Sequence, residues 1–339
     1  MLTPLIEQFT WLESKFQSMR KNYFCDPKLL STLNIKNEKM KRENPLKYKM
    51  TRALNLVTGR YKPVRDFWLW LEARLFPDRK HGWVFSEFQP DALVTATPGV
   101  FPADARLIRT AKKHGIPTFC VVQSWDNLTS KGHMGARPDR LIVWNNIMQQ
   151  EAVDYHQYRK RDVSVAGVPH FDIYADRSAK KQKNAILEKL NLEKNKAVIF
   201  FGTTASVHYP HNVEIIDILV EALQSGQFAK PVQLLVRLHP EAVSGKYKED
   251  LAPYLKYEQW VKYDFPTSKS QTVACDLHKN DLLHLHEILS CADVTINTAS
   301  TLTIDACAHD CPVVNIGFDG YQSKAYTDSA RRFYDYTHF

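Results

Sequence analysis

The chain has 339 residues, of which 44% are apolar and 12% aromatic, enough to build real cores and to exclude wholesale disorder. That length suits two domains better than one. The formal charge of +8 is concentrated at the start: residues 1–66 hold fourteen Lys and Arg against six Asp and Glu, and the rest holds thirty-one of each.

Met1–Phe24 mixes Glu and Lys through its apolar positions, unlike a secretory leader, and no apolar run approaches the roughly 20 residues that cross a bilayer. A soluble, cytoplasmic protein is expected, with its basic start a solvated helix face, a contact with an anionic membrane or a contact with a polyanionic acceptor. Nucleic acid is disfavoured as a partner, because the other four-fifths is neutral and carries no recognised motif. Cysteines 25, 120, 275, 291, 307 and 311 show neither CxxC nor zinc spacing. They read as free thiols, with Cys307 and Cys311 as small core residues.

In chain order, Leu2–Arg20 reads as a helix, residues 34–49 as a polar basic stretch, and Arg65–Phe76 as an aromatic helix. The pattern then alternates. Strands are expected at 91–96, 118–123, 140–144 and 162–166, with helices at 104–114 and 146–157. After a Lys-rich helix at 178–190 a second series begins. Its strands are 197–201, 233–237, 293–297 and 312–316, and its helices are 212–223, 281–290 and 302–308. Such βαβ alternation predicts parallel sheets. The fold class is therefore α/β, two Rossmann-like parallel-sheet domains facing across a cleft. Residues 1–84 form a basic helical segment of the first domain, 85–172 its Rossmann-like part, and 173–339 the second domain.

Polar clusters fall at the carboxyl ends of these strands, where ligands bind in open α/β sheets. Thr97-Pro98-Gly99 and Ser124-Trp125-Asp126-Asn127 lie in the first series, with Lys131 and His133 near enough to join the second of these loops. Asp126 beside Trp125 is a candidate general base, or else the start of an Asx turn with Asn127. Lys131 is expected to pair with Asp126 or to contact an acidic substrate.

In the second series Gly202-Thr203-Thr204 offers a close backbone approach and hydroxyls. Arg237 and His239, beside Glu241, supply a cation and an imidazole that would neutralise a diphosphate, the lesser alternative being that His239 caps the strand locally. Asn297, Thr298, Ser300 and Thr301 sit where a strand passes into a helix, a junction that suits an anion or is simply capped by Ser and Thr. Asp305, one turn further in, could accept from ribose hydroxyls. His284 and His286, two apart on a helix, do not form a metal pair. HExxH, Walker and GxSxG signatures do not occur, and the GxGxxG loop is also missing, which counts against NAD-dependent chemistry.

Pro90-Asp91-Ala92-Leu93-Val94-Thr95, Pro138–Val143, Val165–Pro169, Arg237-Leu238-His239-Pro240 and Ala292–Thr301 continuing to Asp305 resemble the GT-B glycosyltransferases. The likeness is greatest to the branch of non-hydrolysing UDP-N-acetylglucosamine 2-epimerases and CDP-glycerol glycerophosphotransferases. The resemblance implies a nucleotide-activated donor held by the second domain. Ser300 and Thr301 would meet its diphosphate, Asp305 its ribose, and Arg237 and His239 its phosphates. A glycan or lipid-linked glycan acceptor would bind the first domain, with Asp126 as base, and no metal or other cofactor would be needed. The epimerases carry a Ser-Gly-Gly turn and paired glutamates that this chain lacks, which favours transfer. The expectation is a glycosyltransferase of surface-glycan synthesis at the inner face of the membrane. Polyol-phosphate transfer, 2-epimerisation and an inactive binding partner are the rivals.

Overall fold

The computed structural model describes residues 3–27, 29, 40–78, 81–99, 101–129, 131–175, 182–206, 208–244, 248–267, 279–298, 300–317, 319 and 329–334. Part of the basic stretch at 34–49, the first turn of the helix expected from 178, and Cys275 lie outside the described residues. Two compact units divide the chain, Met1–Pro169 and His170–Phe339.

The first unit opens with α1 (Thr3–Asn22), α2 (Pro45–Thr58), α3 (Lys62–Leu75) and α4 (Gly82–Phe88). Its four parallel strands are β1 (Leu93–Thr95), β2 (Thr118–Val121), β3 (Arg140–Val143) and β4 (Val163–Val165), ordered β1-β2-β3-β4. Helices α5 (Pro102–Lys113) and α6 (Asn146–His156) make the β1–β2 and β3–β4 crossovers. Because the strand order never reverses, right-handed crossovers put both helices on one face. Cys120, Val122, Leu141, Val143 and Val163 pack on Met148 and Ala152 of α6. The N-terminal helices are bolted to this sheet: Glu72 of α3 accepts from buried Arg20 of α1 and, at 2.9 Å, from Arg109 of α5. Trp68 of α3 stacks between Phe16 and Phe24.

Helix α2 departs from the polar stretch expected in its first half. Asn44 caps it through Lys47 N–H at 2.9 Å and Pro45 opens it, a standard helix start. Its polar face is turned inward: buried Asn55 donates to the carbonyls of Tyr23 and Cys25, and Thr58 to that of Tyr23. Leu46, Met50, Leu54 and Val57 are left outward, 45–68% exposed.

The second unit is doubly wound. Its strands are β5 (Ala197–Gly202), β6 (Val232–Arg237), β7 (Val261–Asp264), β8 (Val294–Asn297) and β9 (Val313–Asn315), all parallel in the order β7-β6-β5-β8-β9. The helices are α7 (Lys183–Lys189), α8 (Asn212–Gln224), α9 (Pro240–Val243), α10 (Ala252–Leu255), α11 (Lys279–Cys291), α12 (Leu302–Ala308) and α13 (Arg331–Tyr334). Alternate residues of β5 serve opposite cores. Ile199 and Phe201 pack with Ile215, Ile216 and Val220 of α8, and Val198 and Phe200 with Leu187, Ile288 and Leu289 of α7 and α11. Strand β7, unforeseen because Val-Lys-Tyr-Asp is half polar, is the edge strand beside β6. The described cysteines are free; Cys311 is buried but Cys307 is exposed, which corrects its expected place in the core.

Candidate functional site

Chain order reverses between β5 and β8, so the carboxyl edge of the second sheet has a switch point where its two loops part. Gly202, Thr203 and Thr204 end β5, and Asn297, Thr298, Ser300 and Thr301 follow β8. Thr204 Oγ1 donates to the Thr298 carbonyl at 3.4 Å, joining the two loops. A Cβ on Gly202 would stand 2.2 Å from Leu302 Cδ2, so glycine is what lets the first turn of α12 pack against the end of β5.

Two asparagines staple these loops. Asn212, at the start of α8, accepts from Thr204 N at 3.0 Å and donates to Thr204 O at 2.7 Å. Asn297 accepts from Ser300 N at 3.0 Å and shares its amide with Thr303. Asn212 was missed in the sequence, where it reads only as the first residue of a helix. Thr298 Oγ1 is buried with no hydrogen-bond partner among the described residues. Ser300 Oγ accepts from Leu302 N at 3.3 Å, while Thr301 occupies the cap position without a side-chain cap.

Strand β6 stops at Arg237, so His239 does not continue its alternation but caps α9. Its Nδ1 accepts from Glu241 N–H at 3.2 Å, and its own N–H donates to Thr203 Oγ1 at 2.8 Å. With Nδ1 accepting, the neutral ring carries its proton on Nε2. Burial lowers the pKa of His239, and His208 adds to this against Glu241. The side chain is thus a neutral donor through Nε2.

The Arg237 guanidinium, expected to offer a cation to phosphate, is bracketed by two carboxylates: Asp264 and, at 2.6 Å, Asp281. Asp264 also accepts from His284 Nε2 at 2.7 Å. Burial works against charge on Asp264, but His284 and Arg237 outweigh it and hold its pKa below the ordinary value. The same contact raises the pKa of His284. His284 and His286 do face apart, since His286 Nδ1 meets His309 Nε2 at 2.8 Å.

Asp305 accepts from Tyr174 Oη at 2.9 Å. Burial pushes its pKa up to about 6, and the Tyr174 bond restrains the rise. His309 Nδ1 donates to the Asp305 carbonyl at 2.7 Å, which fixes the segment carrying the carboxylate.

In the first unit the loop after β2 holds Asp126, which accepts from Ser124 Oγ at 2.6 Å and has Lys131 Nζ 3.5 Å away. Trp125 packs on the core beneath, and Asn127 is buried. At the end of β1, Thr97 bonds Asp104 of α5. Buried Pro98 leads to Gly99, which has φ +66° and a backbone so close to Ala136 O (2.3 Å from an added Cβ) that no other residue fits. His133 is buried and stacked on His156. Among the described residues no group of three or more His, Cys, Asp or Glu could hold a metal ion.

Polar loops stapled at the switch point of a doubly wound parallel sheet define the chain as an α/β protein and make that edge its candidate site. Residues 122–338 match the family model described as CDP-Glycerol:Poly(glycerophosphate) glycerophosphotransferase. The chain belongs to that transferase family, which bears out the resemblance drawn from its motifs. Among solved structures it is similar to the wall teichoic acid polymerase TagF, at 20% identity over 54% of this chain and 40% of that one, with a TM-score of 0.37. It is also similar to the UDP-GlcNAc 2-epimerase of Neisseria meningitidis bound to UDP-GlcNAc, at 11% identity over 82% and 69% of the two chains (TM-score 0.49). The enzyme of the same name from Methanocaldococcus jannaschii gives 12% identity over 77% and 68%, with a TM-score of 0.47. The chain thus spans less than half the length of the TagF structure. No curated protein matches it.

Proposed function

We propose that the protein transfers a group from a nucleotide-activated donor to a cell-envelope polymer, with the donor held at the carboxyl edge of the second sheet. The family match favours a polyol phosphate over a sugar as the transferred group. Glycosyl transfer is kept as the second reading because the β2 loop carries a carboxylate, Asp126, with hydroxyl and ammonium neighbours. The observation that carries the proposal is the buried Thr298 hydroxyl, which has no hydrogen-bond partner among the described residues and lies between two loops of small polar residues. Buried polar atoms are seldom left without a partner unless a ligand or water completes them.

In this reading Gly202, Thr203, Thr204, Asn297, Thr298, Ser300 and Thr301 receive the diphosphate. Asp305 accepts from a ribose hydroxyl through the oxygen that Tyr174 leaves open. His239 donates Nε2–H to a phosphate oxygen as the nucleotide leaves. Glu241 tunes that imidazole, and Arg237 holds the loops' scaffold. In the first unit, Asp126 is the base proposed for the proton of an acceptor hydroxyl. Thr97, Pro98, Gly99, Trp125, Asn127 and Lys131 form the acceptor side. Charge on the leaving phosphate is met by donors of this chain, without a resident metal, so activity is expected to survive chelation.

Peripheral contact with an anionic membrane is part of the proposal, carried by the outward apolar face of α2 among the basic residues of the N-terminal helices. No described helix is long and apolar enough to cross a membrane. Calorimetry with CDP-glycerol, CDP-ribitol and a panel of nucleotide sugars tests the donor site. Binding of a CDP-polyol and its loss in Ser300→Ala with Thr301→Ala are expected. Binding of none of them sinks the proposal.

A further inference from the structure

Tyr174, which no motif in the sequence marks, lies in the 3-10 segment Pro169–Ala175 at the start of the second unit. Its side chain is buried and meets three groups of that unit at once. The ring stacks on His286 of α11, with centroids 5.6 Å apart, and stands edge-on to His309 at 4.5 Å. The hydroxyl donates to Asp305 Oδ1 at 2.9 Å. The main-chain oxygen of the same aspartate accepts from His309 Nδ1 at 2.7 Å. That bond leaves a lone pair on His309 Nε2, which accepts from His286 Nδ1 at 2.8 Å. Asp305 is thus gripped at its carboxylate by Tyr174 and at its backbone by a chain of two imidazoles against which the Tyr174 ring packs.

The grip leaves one oxygen over. Asp305 N donates to Thr301 O at 3.3 Å, so the carboxylate stands one helical turn in from the Ser300–Thr301 junction. The side chain is only part-buried. Tyr174 occupies Oδ1, whereas Oδ2 has no hydrogen-bond partner among the described residues. A carboxylate accepts O–H groups and repels anions, so the part of a ligand beside it is hydroxylated and uncharged. Burial raises the pKa of Asp305 to about 6, and the Tyr174 bond, which favours the ionised form, opposes the rise. The pKa of the phenol is itself raised by burial and by Asp305, which keeps it a donor. His286 and His309 are the other titratable groups of the cluster.

Taking the donor site as proposed, we infer that Tyr174 is a positioning residue for the ribose, and that it sets the preference for a nucleotide with ribose hydroxyls over one without. Its hydroxyl holds Oδ1, so that Oδ2 alone meets the sugar. With phenylalanine in its place the carboxylate turns more freely and takes up a proton more readily. The ribose contact weakens while the contacts to phosphate stay.

Calorimetry on the full chain compares CDP with 2′,3′-dideoxy-CDP from about pH 5 to 8. At the upper end CDP is expected to bind about tenfold more tightly. Both ligands carry the same diphosphate, so its own titration cancels in the ratio of affinities. That ratio should decline as pH falls through about 6, because Asp305 is protonated below its folded pKa. Tyr174→Phe keeps the ring, and is expected to cut the ratio to roughly threefold or less and to move its decline to higher pH. Asp305→Ala should bring the ratio near one at every pH, and adding Tyr174→Phe to it should change nothing more. A native ratio near one, or one that ignores pH, overturns the inference without any variant. So does Tyr174→Phe if it weakens both nucleotides alike or neither, as a merely structural residue would; CDP bound by the native protein then leaves the donor reading standing. Asp305→Ala retains both histidines, so a ratio that still follows pH there assigns the effect to them and overturns it too. CDP that does not bind the native protein removes the donor reading and this inference together.

Discussion

Thr298 separates ligand binding from folding at a single atom. Its buried hydroxyl has no partner among the described residues, and such a group contributes little to stability or costs some. Thr298→Val keeps the shape and is expected to leave the urea midpoint unchanged or slightly higher. Affinity for the nucleotide donor should fall by about tenfold, the worth of one buried hydrogen bond. Calorimetry and urea titration on the same preparation check both halves. Gly202 makes the opposite case. Gly202→Ala places a methyl 2.2 Å from Leu302 Cδ2, and overpacking of this kind typically costs about 1–3 kcal/mol. A matching loss should be seen in equilibrium unfolding; an unchanged midpoint would mean that Leu302 turns aside freely.

At the scale of elements, the clasp of Arg237 by Asp264 and Asp281 ties β6 to β7 and α11 beneath the candidate site. Removing one member of a buried ion network leaves charge uncompensated, typically at about 3–5 kcal/mol. Asp281→Ala is expected to lose stability on that scale, and donor binding should weaken because the His239 turn is displaced. His284 adds a pH dependence with a definite sign. Its folded pKa is raised above the ordinary 6.5 by Asp264, so its stabilising contribution is complete below about pH 6.5. That contribution is lost as pH rises through the folded value. Urea midpoints measured from about pH 6 to 8 should fall more steeply for the native protein than for His284→Asn. Parallel curves would rule out the contact as a source of the effect.

At the scale of the whole molecule, the N-terminal helices combine a basic surplus with an apolar face that packing leaves outward. Leu46, Met50, Leu54 and Val57 recur at helical spacing on α2 and remain 45–68% exposed. Vesicles containing anionic lipid are expected to sediment with the protein, and neutral vesicles are not. Met50→Glu with Leu54→Glu should abolish the effect without unfolding the chain, because neither side chain is buried. Sedimentation that ignores lipid charge or survives both changes would remove the membrane from the proposed function.

Much of the fold could be read directly because hydrophobic period is a local property. The unbroken run Ala197–Phe201 announces a strand buried on both faces, and Ile215, Ile216 and Val220 mark the helix that covers it. Strand β7 escaped, because an edge strand covered on one side need not be apolar throughout. Helix α2 escaped because its buried face is polar, which inverts the usual pattern. At the site, the sequence by itself determined which small polar residues stand at strand ends. Only the tertiary structure decided what each side chain meets there. It alone showed that Arg237 is neutralised by Asp264 and Asp281, that His239 presents Nε2, and that His133 stacks on His156. Partners 20 to 44 positions apart are joined by the sheet and its crossovers, and no short-range pattern along the chain encodes such a meeting.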